Sequence, residues 1–191
     1  MQPQSPKHGA VSSPPSRAQL YLENWQANGL EAGKFFPRSQ PGMRDPFAPD
    51  DVVNAQPPAD GKIASAGKDF AASLDEVGTD WKKHSVTSGQ NLEITWGFHA
   101  EHKTRRFNYF LTKNGWNPDQ ALTRAQFDAE PFHSVQLPEQ PYWEHELAPG
   151  NPTTHTLRLP QRPAGHQVLL AVWEVADTGQ AFYQVIDLQY T

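Results

Sequence analysis

The phase of the apolar residues in the second half of the chain constrains its fold most tightly. Leu92, Ile94, Trp96 and Phe98 alternate with Glu93, Thr95 and Gly97, a period of two that gives a strand with one buried face. Phe107, Tyr109 and Leu111 alternate with Asn108 and Phe110, so this strand is apolar on both faces. Val168 to Trp173 is an unbroken apolar run, long enough for a central strand and short for a buried helix. Tyr183 to Tyr190 sets Ile186, Leu188 and Tyr190 on one side, and Leu157 with Leu159 suggests a shorter edge strand. Turn signals separate these runs: Ser88-Gly89-Gln90, Asn114-Gly115 and Pro163-Ala164-Gly165. Several short strands bounded by Gly- and Pro-rich turns predict an all-β sandwich, with a first strand over His8 to Val11 or slightly beyond.

Residues 18–80 follow a different rule. A short helix fits within Ala18 to Leu30 and another within residues 68–76, while six prolines fall between Pro37 and Pro58. Phe35, Phe36, Met43 and Phe47 in this stretch argue against disorder, so it reads as a functional insert in one domain. At 191 residues the chain is long enough to bury a core without covalent staples. It has no cysteine, which excludes thiol nucleophiles, zinc ribbons and disulfides. Its formal net charge of -5 carries no basic stripe, so nucleic acid and anionic membranes are not expected partners. Residues 1–7 lack the apolar core of a signal peptide and read as a leader or tag. No apolar run is long enough to span a membrane.

His8 and His102 are the candidate metal ligands. They lie far apart in the sequence, so only the fold can bring them together. If cleavage after Lys7 made His8 the first residue, it would offer an amine and a ring nitrogen. With the ring of His102 that makes three nitrogens, a set that suits copper(II). Equally, His8 is readable as an ordinary strand residue and His102 as a solvated loop residue. Other chemistry lacks its parts: there is no Gly-x-Ser-x-Gly elbow, P-loop or dinucleotide fingerprint.

An ordered set of motifs then extends along the chain from His8. It comprises His8-Gly9 with Pro14 and Ser16-Arg17, Ala59 to Ala66 (ADGKIASA), and Ala100-Glu101-His102. Tyr109 to Lys113 (YFLTK), Leu122 to Ala125 (LTRA), Phe127-Asp128, Ala171 to Thr178 (AVWEVADT) and Ala181 to Gln184 (AFYQ) complete it. In these pieces the chain resembles the bacterial chitin-active lytic polysaccharide monooxygenases, long called chitin-binding proteins. The resemblance implies an immunoglobulin- or fibronectin-like β-sandwich over residues 8–191, with a long loop-and-short-helix insert over 18–80. It implies copper held by His8, through amine and ring, and by His102. Ala100 would crowd one axial side and Phe182 would face the other. Asp177, Gln180 and an exposed aromatic, best matched by Phe35 with Phe36 or Phe47 as alternatives, would form a flat face for crystalline chitin or a related polysaccharide. Phe35 is equally readable as a buried loop anchor.

The implied activity is oxidative cleavage of chitin, or of cellulose, at C1 or C4. An external reductant and dioxygen or hydrogen peroxide would take part, and the protein would act as a secreted monomer. The alternative is a non-catalytic chitin-binding virulence or insecticidal protein of the same fold. His99, three residues before His102, is expected to point to the opposite face. Glu174 and Gln184 flank the region without an assigned role. Two features depart from the family. Its usual disulfides are absent, His133 and Leu157 standing at one pair of positions, and seven residues precede His8.

Overall fold

The computed structural model describes residues 8–78 and 80–191; the leader call falls on residues 1–7, outside them. The alternation of the sequence becomes two facing sheets. The smaller has the order β1 (Gly9–Ser13), β4 (Asn91–Phe98), β7 (Thr153–Arg158). The larger runs β2 (Glu31–Gly33), β9 (Gln180–Tyr190), β8 (Gly165–Val175), β5 (Thr104–Leu111), β6 (His133–Gln136), with β3 (His84–Val86) added in parallel to β9. This is an immunoglobulin-like β-sandwich. Pairing is antiparallel except where β3 joins β9, and one face of each sheet packs on the other.

The period-two residues lie where their phase puts them. Leu92, Ile94, Trp96 and Phe98 of β4 face Phe107, Tyr109, Leu111, Leu169, Trp173, Phe182 and Ile186 of the larger sheet in one buried cluster. The opposite faces of β5, β8 and β9 are apolar too, and Phe110, Leu170, Val172 and Tyr183 form a second buried cluster with the insert. The insert is thus a cover, needed because the central strands are apolar on both sides. Its residues Ala18, Ala27, Leu30, Phe36, Ile63 and Leu74 supply the opposing layer.

Within the insert the helical expectations are corrected in detail. Ala18 to Leu30 holds two helices, α1 (Arg17–Tyr21) and α2 (Asn24–Ala27), because Ser16 caps the first and a Glu23–Gln26 capping box starts the second. The second predicted helix is a 3-10 turn, Asp69–Asp75. β2 and β6 carry no alternation that would reveal them. β2 exists because Glu31–Gly33 pairs along the edge of β9. A Cβ at Gly33 would overlap the Ala55 carbonyl, so glycine lets the insert fold back over its own strand.

Polar contacts tie the layers together. Gln184 of β9 accepts hydrogen bonds from Ser16 Oγ (2.7 Å) and Val11 N (3.2 Å) and donates to the Ala27 carbonyl (2.9 Å). Arg17 grips Asp187 through two nitrogens at 2.9 and 2.7 Å, both side chains buried. Leu157, at a disulfide position of the resembled family, is fully buried in the core. His133 begins β6, its ring 6.0 Å from Tyr109.

Trp96 Nε1 donates to the Tyr109 hydroxyl (3.1 Å), which in turn meets His155 Nδ1 at 2.6 Å. Burial, and then the nearby His133, push the His155 imidazole down to about 4, so it is neutral at pH 7 and can accept from Tyr109. The unfolded chain titrates at the ordinary value of about 6.5. Between those values the unfolded state binds the extra proton, so stability falls as pH drops from about 6.5 toward 4. Thermal unfolding followed at pH 7 and pH 5 will show a smaller loss of Tm in His155→Gln than in the parent. Equal losses would show that His155 does not cause the slope.

Candidate metal centre and binding face

His8 sits at the mouth of the sandwich because β1 begins immediately after it. Gly9, Ala10 and Val11 pair with Phe98, Gly97 and Trp96. The His8 carbonyl accepts from His99 N at 2.7 Å and from Ala100 N at 3.4 Å. The glycine after His8 is dictated by packing: a Cβ there would lie 2.5 Å from Phe98 Cδ1 and 3.0 Å from Trp173 Cζ3. His102 lies in the turn between β4 and β5. Thr104 Oγ1 donates to the His102 carbonyl (3.1 Å) and accepts from Trp173 Nε1 (2.8 Å), so this loop is fastened to the core.

The two imidazoles converge on one buried ring. His8 meets Phe182 edge-on at 5.4 Å between centroids, and His102 stacks on it at 5.8 Å and 24°. Phe182 is fully buried and stacks on Trp173 at 4.7 Å, so the apolar wall beneath the pair is rigid. Ala100, at the same mouth, joins His102 and Asp177 in lining a shallow cavity of about 350 Å³ with Glu101, Lys103 and Glu146. Gln180 starts β9 two residues before Phe182 and shares its face of the strand.

Burial, and then the neighbouring His102, Lys68 and His99, lower the pKa of His8. The neutral ring, which coordinates metals, is therefore favoured. His8 Nδ1 is buried with no hydrogen-bond partner; the nearest charge is Glu31, 3.9 Å away. Glu31 reaches this position because it pairs with Phe182 across β2 and β9. Sequence reading missed it, since nothing in the insert marks that register. Among the described residues no group of three or more His, Cys, Asp or Glu side chains could hold a metal. Two imidazoles, of His8 and His102, are present at this end of the sandwich.

Other expectations are resolved or corrected. His99 is exposed and its Nε2 pairs with the Asn24 amide at 2.8 Å. Glu174 is fully buried, holding Arg105 and Arg106 at 3.0 and 2.6 Å. Phe35 does not serve as an exposed aromatic. It is only 8 % exposed, its amide donates to Glu174, and the Arg105 guanidinium packs on its ring at 4.9 Å. A large apolar ring beside a buried ion pair excludes water from the pair and is held there. Of its alternatives, Phe36 is buried, whereas Phe47 remains 37 % exposed with the Arg105 guanidinium 5.1 Å from its ring. Trp25 is another exposed aromatic, 53 % exposed and 5.4 Å from Phe70, and its neighbour Asn24 meets His99. A lone tryptophan among Glu23, Asn24 and Gln26 was the available signal.

Gly9→Ala should therefore displace the start of β1 and with it His8. Denaturant unfolding is expected to show a loss of about 1–3 kcal/mol, as over-packing of a full core does. An unchanged midpoint would mean that Phe98 and Trp173 yield without cost.

Known proteins resemble this chain in sequence and fold. The family described as lytic polysaccharide mono-oxygenase, cellulose-degrading, matches residues 8–188. The chitin binding domain from Burkholderia pseudomallei is 49% identical, with a TM-score of 0.91, over 97% of this chain and 100% of that one. An AA10 lytic polysaccharide monooxygenase from Photorhabdus luminescens is 35% identical, TM-score 0.77, over 96% and 99%. GlcNAc-binding protein A of Shewanella oneidensis is 34% identical over 96% of this chain. The chain spans 36% of that relative's length.

Proposed function

The chain belongs to the lytic polysaccharide monooxygenase family, and from that premise we propose that it is a copper-dependent enzyme that cleaves chitin oxidatively outside the cell. The observation that carries this reading is the unpartnered, buried Nδ1 of His8 beside the ring of Phe182 that also seats His102. Leaving such a nitrogen unsatisfied costs about 1–3 kcal/mol, and a metal would supply the missing partner. His8 and His102 would hold it through their rings, with the main-chain nitrogen of His8 as third donor. That nitrogen is an amide in the sequence as written, because Lys7 precedes it; as a free amine it would complete the set. Copper, when bound, supplies one-electron redox chemistry toward an oxygen species.

The protein's own residues do the rest. Phe182 presents an apolar ring where a polar side chain would compete as ligand. Ala100 keeps the other approach narrow. Asp177, Gln180 and the edge of His102 form the polar part of a shallow face, and Trp25 with Phe70 supplies the aromatic part, stacking on sugar rings. A flat surface suits a crystalline polymer better than a deep pocket does. Chitin is favoured over cellulose by the named relatives, one a chitin binding domain and one a GlcNAc-binding protein. The same names favour, as second reading, a chitin-binding protein without catalysis.

Two measurements divide these readings. A chain beginning at His8 should bind Cu(II) more tightly than the full chain by more than about tenfold, the factor given by ~1.4 kcal/mol of added ligation. With a reductant it should release oxidised chito-oligosaccharides, and His102→Ala should not. Equal copper affinity in calorimetry would refute the amine as ligand; tight binding without oxidised products would leave the binding protein. On β-chitin, Trp25→Ala and Asp177→Ala should weaken retention, the former by up to about tenfold. Phe35→Ala should instead lower the unfolding temperature. Full retention of the Trp25 and Asp177 double variant would move the face elsewhere.

A further inference from the structure

A second cleft opens well away from the histidine pair, on the side of the molecule where α1, the 3-10 turn and the approach to β3 meet. Among the described residues, Tyr21, Ser73, Glu76, Val77, Asp80 and Trp81 line it, around a cavity of about 380 Å³. Its remoteness follows from β9. His84, three residues beyond Trp81, pairs with Leu188, whereas the histidines rest on Phe182. Six residues of extended strand place these points about 20 Å apart.

Its aromatic floor is held in place. Tyr21 and Trp81 meet at 77° and 5.0 Å. The Arg17 guanidinium lies 4.2 Å from the Trp81 ring and is itself fixed by Asp187 and the Leu74 carbonyl. Lys82 N donates to the Tyr21 hydroxyl at 3.0 Å. Tyr21 remains 48 % and Val77 55 % exposed, so apolar surface stays open beside the cleft. The rim is acidic and polar: Glu76, Asp80 and Ser73 are all exposed. Nothing in the metal centre or its face uses these residues.

We infer that this cleft is a second saccharide site, taking one end of a soluble amino-sugar oligomer or a loose strand of the polymer held at the histidine face. Pre-set aromatic faces offer stacking to the C–H side of a pyranose with little entropy lost. The Glu76 and Asp80 carboxylates accept hydrogen bonds from sugar hydroxyls, amide N–H groups or the ammonium of a deacetylated unit. The same carboxylates repel uronic acids. This inference rests on the saccharide reading above, but concerns a different surface and fails separately from it.

The test is a titration of the full chain, followed by amide and indole NMR signals, with chitotetraose, glucosamine tetramer and galacturonate tetramer. Shifts centred on Trp81 and Tyr21 are expected for the first two, with galacturonate weak or silent. Tyr21→Ala should weaken binding about three- to tenfold, and Glu76→Gln with Asp80→Asn about tenfold. His102→Ala should leave it unchanged. Trp81→Ala is avoided because its ring packs on Arg17. Shifts confined to His102, Asp177 and Trp25, equal binding of galacturonate, or unchanged affinity in both variants would each overturn the second site. Loss of β-chitin retention in the Trp25 and Asp177 double variant, with the cleft titration intact, would separate the two surfaces.

Discussion

The stack of aromatic rings between the sheets is the contact on which the rest of this molecule depends. Trp96 and Phe98 of β4 meet Phe107 of β5 and Trp173 of β8, with ring separations from 4.6 Å (Phe98 to Trp173) to 6.5 Å. Phe182 of β9 closes the series on Trp173. These rings bury large areas and lock into edge-on and offset arrangements, which fix both the spacing and the rotation of the sheets. The functional end inherits that rigidity. Phe182 is at once the last ring of the core and the seat of His8 and His102, so the geometry of the candidate metal centre is set by packing rather than by flexible loops. The glycine after His8 belongs to the same constraint, since the strand can pass Phe98 and Trp173 only without a side chain.

A chain with no cysteine must hold its long insert by other means. Apolar cover over β8 and β9 does most of this, and buried ion pairs give it register. Lys34 Nζ reaches Asp45 at 2.5 Å, and Arg105 bridges Asp45 and Glu174 at 3.1 and 3.0 Å. Burial pushes the Asp45 carboxyl up, but the hydrogen bond and charge of Lys34 outweigh it and hold the group low. Desolvation offsets most of the attraction in such pairs, so their contribution to net stability is small, while breaking one is costly. Their effect here is positional. The Arg105–Asp45 pair joins the insert to β5, Glu174 of β8 holds Arg105 from the other side, and Lys34 ties Asp45 within the insert, which together favour one placement of the loop over the sheet. The Arg17–Asp187 pair does the same for α1, and through Arg17 it also props the Trp81 floor of the lateral cleft.

The surface therefore carries two kinds of feature with different origins. At the mouth of the sandwich, groups from β1, β2, the β4–β5 turn and the β8–β9 turn meet because those elements end together. On the side, the cleft arises where α1, the 3-10 turn and the approach to β3 leave aromatic residues uncovered. Only the first lies on the ordered motifs that identify the family.

The strands of the core were legible in the sequence because a period of two is a direct readout of one buried face, and β4, β5, β8 and β9 all show it or a doubly buried run. His8, His102, Ala100, Asp177 and Phe182 were legible from motifs whose order survives along the chain. What the sequence could not determine was which groups of the insert meet the strands. Phe35 and Trp25 are both aromatic residues of the insert; the polar neighbours of Trp25 hint at exposure, but no local pattern marks Phe35 as the ring packed on the Arg105 guanidinium. Glu31 approaches His8 only through a three-residue pairing with β9. These contacts link residues far apart along the chain, and their partners are chosen by the shape and charge left exposed once the two sheets have closed. Local pattern fixes secondary structure and burial phase; the placement of irregular chain is decided by tertiary packing, because there the backbone has no periodicity to constrain it.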